Sequence, residues 1–176
     1  IGAGGLTLGA AIGFALAYLA ARGAPGARVT SRIASVLGQA TPAFGLGLLM
    51  IWLFGVQLGW LKPFTGGALE RLALPIVVIA TLVSGSISRV ALAAFDDARR
   101  MPWFIVARSK GLSDGAALAR HGGRYALLAL LAGLTPELAW VVGGSAVTEI
   151  VFATPGLGAW VVESIGARDY TALQAY

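Results

Sequence analysis

The side chains that usually perform chemistry in proteins are scarce in this chain of 176 residues. It contains no cysteine and one histidine, together with eight acidic and thirteen basic residues. Thiol catalysis, thiolate metal sites and disulfide frameworks are therefore excluded, and one imidazole cannot build a His-rich metal site. The phosphate-binding pattern G-x4-G-K-[S/T] does not occur in the sequence, and the pair Gly156-x-Gly158 follows Pro155, which argues against nucleotide binding.

Glu137 carries the most informative single charge, because it lies inside an otherwise apolar run at 125–148. A carboxylate in a membrane span is costly, so it faces other helices or a water-filled cavity. One hypothesis is that Glu137 lines a transport path and favours cationic or amino-bearing solutes. The alternative is an interhelical hydrogen bond, with the carboxyl group protonated.

The basic segment at 101–124 is the second candidate. Pro102 suits the first turn of a helix and Gly111 suits the residue beyond its end. Ser113 is placed to N-cap a second short helix, which we expect Gly122-Gly123 to stop. Two such helices would form either a docking element for a cytoplasmic partner or an amphipathic hairpin on the membrane surface. The residues alone favour neither reading.

These side chains must be positioned by an unusually apolar chain. Its composition is 57% hydrophobic and 12% charged, with a mean hydropathy of +0.81. Soluble domains carry roughly 25% charged residues, so an ordinary soluble enzyme is disfavoured, and so is a disordered chain. The apolar runs are long enough to cross a hydrocarbon core of about 30 Å. They predict four membrane spans, at about 1–21, 34–58, 72–95 and 125–148.

Two features inside these runs bear on helix packing. Gly5, Gly9 and Gly13 recur on one face of the first run, which favours close approach of a second helix. Pro42 lies inside the second run, so we expect a kink or a late helix start there.

The basic residues alternate between the connections. Loop 22–32 holds three Lys or Arg, loop 62–71 holds two, segment 89–124 holds seven and the tail 149–176 holds one. The positive-inside rule therefore places loop 22–32 and segment 89–124 in the cytoplasm and the other two outside. The net charge of +5 is thus a topology signal, and no nucleic-acid partner is expected.

Four sequence blocks resemble those of a known family. The segment ARSKGLS at 107–113, followed by Arg120-His121, is similar to the EAA coupling loop of binding-protein-dependent ABC importer permeases, in the B-type branch of the dipeptide/oligopeptide/nickel family. The block at 143–158 resembles the GGAVVVETVFAWPGLG block of that branch. The segments at 167–174 and 42–48 resemble its ARDYPVVQ and PSFWLGLLL segments. In order, these blocks extend the resemblance over about residues 1–176.

The resemblance implies an all-α polytopic membrane protein, the transmembrane domain of a type I, MetI-like ABC importer with a cytoplasmic coupling-helix loop at about 99–124. Its implied role is to form the path for di- or oligopeptides across the bacterial inner membrane. The implied partners are a second permease, two cytoplasmic ABC ATPases, an extracytoplasmic solute-binding protein and membrane lipid. This chain would then be no enzyme and would bind no cofactor, because ATP and Mg would be bound by the ATPases.

The resemblance also implies roles for two groups of residues. Contact with the ATPases, or shaping of that contact, is expected of Ala107, Arg108, Lys110, Gly111, Leu112 and Ser113. Within this group Leu112 is expected to be the apolar plug, and the two basic residues to pair with acids of the partner or with lipid headgroups. The path or its outer gate, in the segment 149–176, is expected to involve Glu137, Glu149, Pro155 and Gly156.

The sequence departs from the family pattern at several positions. Ile105 occupies the position of the EAA glutamate, and Glu137 stands where the family usually has glutamine. The chain starts at Ile1 without a methionine, and the first and last spans of the family have no counterpart here. We therefore expect a partial chain.

Two other classes of function remain open on the residues. A proton-coupled secondary transporter or channel would also explain Glu137, Pro136 and Pro42 inside spans, although such carriers often show internal repeats and none is evident here. A membrane scaffold without transport activity is the third reading. The solute itself is not specified, since nickel chelates, glutathione and some oligosaccharides use the same kind of permease.

Overall fold

The computed structural model describes residues 1–175, and this part of the chain is all-helical, with no strand. The predicted all-α class is confirmed. Ten helices follow one another, and they are α1 (Gly2–Ala21), α2 (Ala27–Ala40), α3 (Ala43–Met50), α4 (Ala68–Ala98), α5 (Pro102–Ser109), α6 (Asp114–Ala117), α7 (Gly123–Gly144), α8 (Ala146–Val151), α9 (Leu157–Ala167) and α10 (Tyr170–Ala175). Two π-helical segments extend them: Ile51–Gln57 continues α3, and Leu118–Gly122 joins α6 to α7.

Three helical stretches within the described residues are long and apolar enough to cross a membrane. They are Gly2–Ala21, Ala68–Ala98 and Asp114–Gly143, and a fourth crossing is possible if a bent pair of helices forms one span. That pair joins Ala27–Ala40 to Ala43–Gln57 with a bend of 107°. The bend divides the predicted span 34–58 at Pro42, which has an extended backbone and precedes the first residue of α3. The helix therefore restarts after the proline, where a missing N–H costs nothing.

The predicted stop at Gly122-Gly123 is wrong. The chain stays helical from α6 through the π-helical turn into α7, so no break separates the second short helix from the long one. Gly122 is buried, and a Cβ atom there would lie 3.1 Å from the side chain of Leu118. Glycine at this position therefore permits close packing inside a helix. The helix continues through it because the π-helical turn, which is wider than an α-helical one, keeps the backbone hydrogen bonds formed.

The chain divides into two compact units that share α1, α4 and α7. One unit comprises Ile1–Leu6, Thr41–Ile79 and the chain from Glu137 onward, and the other comprises Thr7–Ala40 and Ala80–Pro136. We call them the first and the second unit. The packed helices α8 and α9 belong to the first unit, and the hairpin of α5 and α6 belongs to the second unit.

Close helix approach organises the second unit. A Cβ atom on Gly9 would lie 2.7 Å from the Ala80 carbonyl oxygen, and one on Gly13 would lie 2.6 Å from that of Ser84. The predicted glycine face of α1 is therefore confirmed as a packing surface for α4. On another face of α4, the hydroxyls of Ser31 and Ser88 are hydrogen-bonded at 2.7 Å in a buried position. Small and hydroxyl-bearing residues at such contacts are typical of membrane helices.

A buried apolar cluster supports the hairpin of α5 and α6. Phe95 is fully buried at its centre, and Phe14 and Tyr18 of α1 stack against it at ring distances of 5.6 and 5.8 Å. The cluster includes Phe104 and Ala107 of α5, Ala117 of α6 and Leu118 of the π-helical segment that follows. The hairpin thus has an apolar inner face packed on α1 and α4.

Candidate functional site

The helical hairpin 102–117 is the first part of the candidate site. Helix α5 begins with Pro102 at its first turn and ends in a Schellman motif. In this motif the Gly111 N–H donates to the Arg108 carbonyl at 3.0 Å, and the Leu112 N–H donates to the Ala107 carbonyl at 3.3 Å. Gly111 has a φ of 88°, in the left-handed region that favours glycine, and no atom lies within 4 Å of its missing Cβ.

The second helix of the hairpin starts at once. The Ser113 hydroxyl accepts a hydrogen bond from the Ala116 N–H at 3.2 Å, so Ser113 N-caps α6 as its sequence position predicts. One guanidinium nitrogen of Arg108 donates to the Leu112 carbonyl at 2.9 Å across the turn. The turn 110–113 is therefore held by a side-chain hydrogen bond at each end, from Arg108 before it and to Ser113 at its last residue.

The two faces of the hairpin differ sharply. Phe104 and Ala107 are buried, whereas Ile105 is 58% exposed and Val106 is 51% exposed. Leu112 is half-buried and packs against the cluster around Phe95, with part of its side chain left exposed. The exposed apolar pair Ile105 and Val106 is the feature that sequence reasoning missed, although helical periodicity from the buried positions could have found it.

The basic residues of the hairpin point outward. Arg108 and Lys110 are both exposed, and they precede the exposed Gly111. Together with Ile105 and Val106 they form a surface that combines apolar area with two positive charges. Such a surface suits docking to a partner that carries an apolar groove with an acidic rim. We call this set of five residues the docking face.

Glu149 dominates the second part of the candidate site, in the first unit. Glu149 lies in the six-residue helix α8, and only 8% of its surface is exposed. One carboxylate oxygen accepts the Ser145 hydroxyl at 3.0 Å, and the other accepts the Ala159 N–H at 2.9 Å. Ala159 is the third residue of α9, so Glu149 caps that helix from a distance of ten residues along the chain.

The backbone of Glu149 is held as firmly as its carboxylate. Its carbonyl accepts the Thr154 N–H at 2.9 Å in a Schellman motif that ends α8, in which Ala153 takes a φ of 48°. Gly156 packs directly on the carboxylate, where an added Cβ atom would overlap it. Pro155 is exposed and lines a cleft of about 200 Å³ with residues of α4. Glu149 thus fixes the loop 152–156 between two helices.

Glu137 stands apart from this arrangement. It follows Pro136 in α7, is half-buried and forms no ion pair within the described residues. The structure therefore brings Glu149 and Gly156 into contact, and Glu137 is not part of that contact. The described residues also contain no group of three or more His, Asp or Glu side chains that could hold a metal ion.

Comparison with known proteins covers both parts of the candidate site. Residues 9–176 match the family described as binding-protein-dependent transport system inner membrane component. The chain is 35% identical over 141 residues to the glutathione transport system permease protein GsiC of Escherichia coli K12, and 34% identical over 141 residues to that of Pectobacterium atrosepticum. These alignments cover 80% of the chain and 46% of each relative, so the chain spans about half the length of the curated relatives it matches.

Proposed function

Because the chain belongs to the family of binding-protein-dependent transport system inner membrane components, we propose that it is a permease subunit of an ATP-driven ABC importer. In this role it forms part of a solute path through the bacterial inner membrane and catalyses no reaction itself. The observation that carries the proposal is the match over residues 9–176, which includes both the hairpin 102–117 and the segment of Glu149.

Small peptides are the proposed class of solute. The curated relatives are permease proteins of glutathione transport systems, and glutathione is a tripeptide. The sequence blocks that resemble the dipeptide and oligopeptide permeases support the same class. A second permease subunit and a solute-binding protein on the outer side complete the proposed path.

The hairpin 102–117 is the proposed contact with two cytoplasmic ATPase subunits, which bind ATP and Mg while this chain binds no cofactor. Arg108 and Lys110 pair with acidic side chains of the ATPase, and Gly111 and Ser113 set the shape of the turn. Ala107 shapes the contact from the buried cluster, and the half-buried Leu112 is the proposed apolar plug. Ile105 and Val106 supply an apolar contact to the ATPase, because both side chains are exposed on the surface of the hairpin.

Glu137 and the loop held by Glu149 are the proposed elements of the path and its outer gate. A half-buried carboxylate without an ion-paired neighbour attracts the ammonium group of a peptide. Pro155 and Gly156 lie in the loop that Glu149 fixes, so this loop moves with α8 and α9 when a gate opens. The gate itself is a proposal that rests on the packing of these residues.

Uptake into proteoliposomes tests the proposed function. The full-length permease is reconstituted with its companion permease and ATPase, and labelled glutathione and dipeptides are supplied with the purified binding protein. We expect accumulation only when ATP, an active ATPase and the binding protein are all present. Uptake driven by a pH gradient without ATP would instead establish the proton-coupled carrier and overturn the proposal.

Glu137→Gln separates a path residue from a structural one in the same assay. We expect uptake of peptides with a free amino group to fall several-fold, while uptake of N-acetylated peptides of equal size changes little, because only the former lose a charge partner. Glu163→Gln is the matched control, since Glu163 is exposed on α9. Equal losses for both peptide classes would assign Glu137 a structural role.

A further inference from the structure

Arg99 follows the last residue of α4 and contacts three different segments of the second unit. One guanidinium nitrogen is 3.0 Å from an Asp96 carboxylate oxygen, and another is 3.2 Å from one of Asp114. The second of these nitrogens also donates to the carbonyl oxygen of Ala21. A single side chain therefore joins α4 to α1 and to the first residue of α6.

The partners of Arg99 lie where helices end. Ala21 is the last residue of α1, and its carbonyl is one of the groups that a helix leaves without an internal partner. Asp114 directly follows the Ser113 cap of α6, at the turn of the hairpin. Asp96 is shared with Arg28 of α2 at 3.2 Å. The network thus joins the ends of α1, α2, α4 and α6, all in the second unit. The distribution of basic residues predicts that these ends lie on the cytoplasmic side of the membrane.

The chemistry of the site requires arginine. A guanidinium group offers five N–H donors in a fixed planar fork, whereas an ammonium group is a compact point charge that cannot reach three partners in fixed directions. The Arg99 side chain is 25% exposed, and those of Asp96 and Asp114 are 39% and 50% exposed. Ion pairs this close to solvent add little to stability. Their geometry, which fixes where α6 begins, is therefore their main contribution.

We propose that Arg99 is the positioning residue that makes the hairpin 102–117 move as one body with α1 and α4. The inference rests on the proposed function, in which the docking face receives movement from the ATPases. The apolar cluster holds the inner face of the hairpin, and Arg99 fixes its second helix against rotation about that cluster. Movement of the docking face is then passed on to α1 and α4, because the hairpin does not deform at the turn 110–113. Rigid-body shifts of this kind are a recognised way to transmit a conformational change.

The test measures solute transported per ATP hydrolysed in the complete reconstituted transporter. We expect Arg99→Gln to lower this ratio by about fivefold, the order of coupling changes produced by single residues, with ATP hydrolysis continuing. Arg99→Lys should recover part of the ratio, because it keeps the charge without the fork. Arg100→Gln is the control, since Arg100 is the exposed neighbour of Arg99 and forms no ion pair within the described residues.

Asp114→Asn removes one contact of the same network from the other side. It should lower the ratio in the same direction, and the double variant Arg99→Gln/Asp114→Asn should be no worse than Arg99→Gln alone. An unchanged ratio in both single variants, or fully additive losses, would overturn the role of Arg99. A wild-type transporter that shows no ATP-dependent uptake would instead overturn the proposed function, so the two failures are distinguishable. If Arg99→Gln does not assemble, Arg99→Lys and Asp114→Asn decide the question.

Discussion

The turns that end α5 and α8 have the same hydrogen bonds and different residues at their centre. After α5 the left-handed position is Gly111, with a φ of 88°, and after α8 it is Ala153, with a φ of 48°. Both turns close two backbone hydrogen bonds in a Schellman motif. An L-residue in this conformation costs about 1–2 kcal/mol, and glycine avoids that cost.

The difference shows two ways of holding a turn. The hairpin 102–117 relies on local residue choice, with Gly111 in its turn and Ser113 capping the next helix. The loop after α8 relies on Glu149, whose buried carboxylate binds a side chain of one helix and the backbone of another. Strain at Ala153 persists because these surrounding bonds determine the path of the chain. One turn is specified by its own residues, and the other by a partner distant in sequence.

Removal of the distant partner has the largest expected effect. Glu149→Ala leaves the buried Ser145 hydroxyl and the part-buried Ala159 N–H without their acceptor, which costs about 3 kcal/mol in total. We expect the amides of 152–160 to exchange with solvent roughly 100-fold faster, as that energy corresponds to about two powers of ten. Hydrogen exchange measured by mass spectrometry in detergent checks this.

The matched control for that variant lies on α9, the helix that Glu149 caps. Glu163→Ala removes an exposed carboxylate of α9 and should change exchange in 152–160 by less than about threefold. Glu149→Gln should be intermediate, because an amide oxygen can replace one of the two acceptors. Equal exchange in Glu149→Ala and wild type would show that the loop does not depend on the carboxylate.

Gly111→Ala has an intermediate effect. The added methyl group meets open space, so only the left-handed backbone opposes it, and we expect a loss of about 1 kcal/mol in the stability of the hairpin. Gly166→Ala is the control, because Gly166 lies inside α9 with equally open space, and alanine favours a helix by about 0.5–1 kcal/mol. Thermal unfolding should shift downward for Gly111→Ala and not for Gly166→Ala. A similar upward shift for both would contradict the backbone explanation.

Ala153→Gly has the smallest expected effect, and the opposite sign. Relief of the left-handed strain outweighs the added freedom of the unfolded chain, which leaves a gain of about 0.5 kcal/mol. Slower hydrogen exchange at Thr154 in the glycine variant is the measurement. Faster exchange there would mean that Ala153 is not strained and that the two turns are held alike.

The sequence predicted the turn at Gly111 and could not predict the one at Ala153. Glycine, proline and serine mark the hairpin because each of them satisfies a local requirement of the backbone. Alanine carries no such signal, and neither does Arg168, which takes a φ of 57° after α9. The composition and the apolar runs were sufficient for the helical class, because both reflect local preferences and burial in lipid.

Interactions between distant residues explain the remaining differences. The resemblance to the family singles out Glu149 as a residue expected in the path or its outer gate, but its hydrogen bond to Ala159 depends on how α8 packs on α9. Arg99 was one of seven basic residues in its segment, and only folding shows that it reaches Ala21 and Asp114. Gly122-Gly123 was expected to stop a helix, whereas buried packing and a wider turn keep that helix continuous.

The aromatic residues beside the hairpin give it an optical reporter of its own. Trp103 of α5 lies 6.2 Å from the ring of Tyr125 and 6.3 Å from that of His121, both on the helical stretch that leads into α7. Indole emission depends on the polarity and on the quenching groups around the ring. A shift of α5 relative to that stretch therefore changes the fluorescence of Trp103. With the other four tryptophans of this chain replaced by phenylalanine, movement of the hairpin can be followed in time without an attached dye.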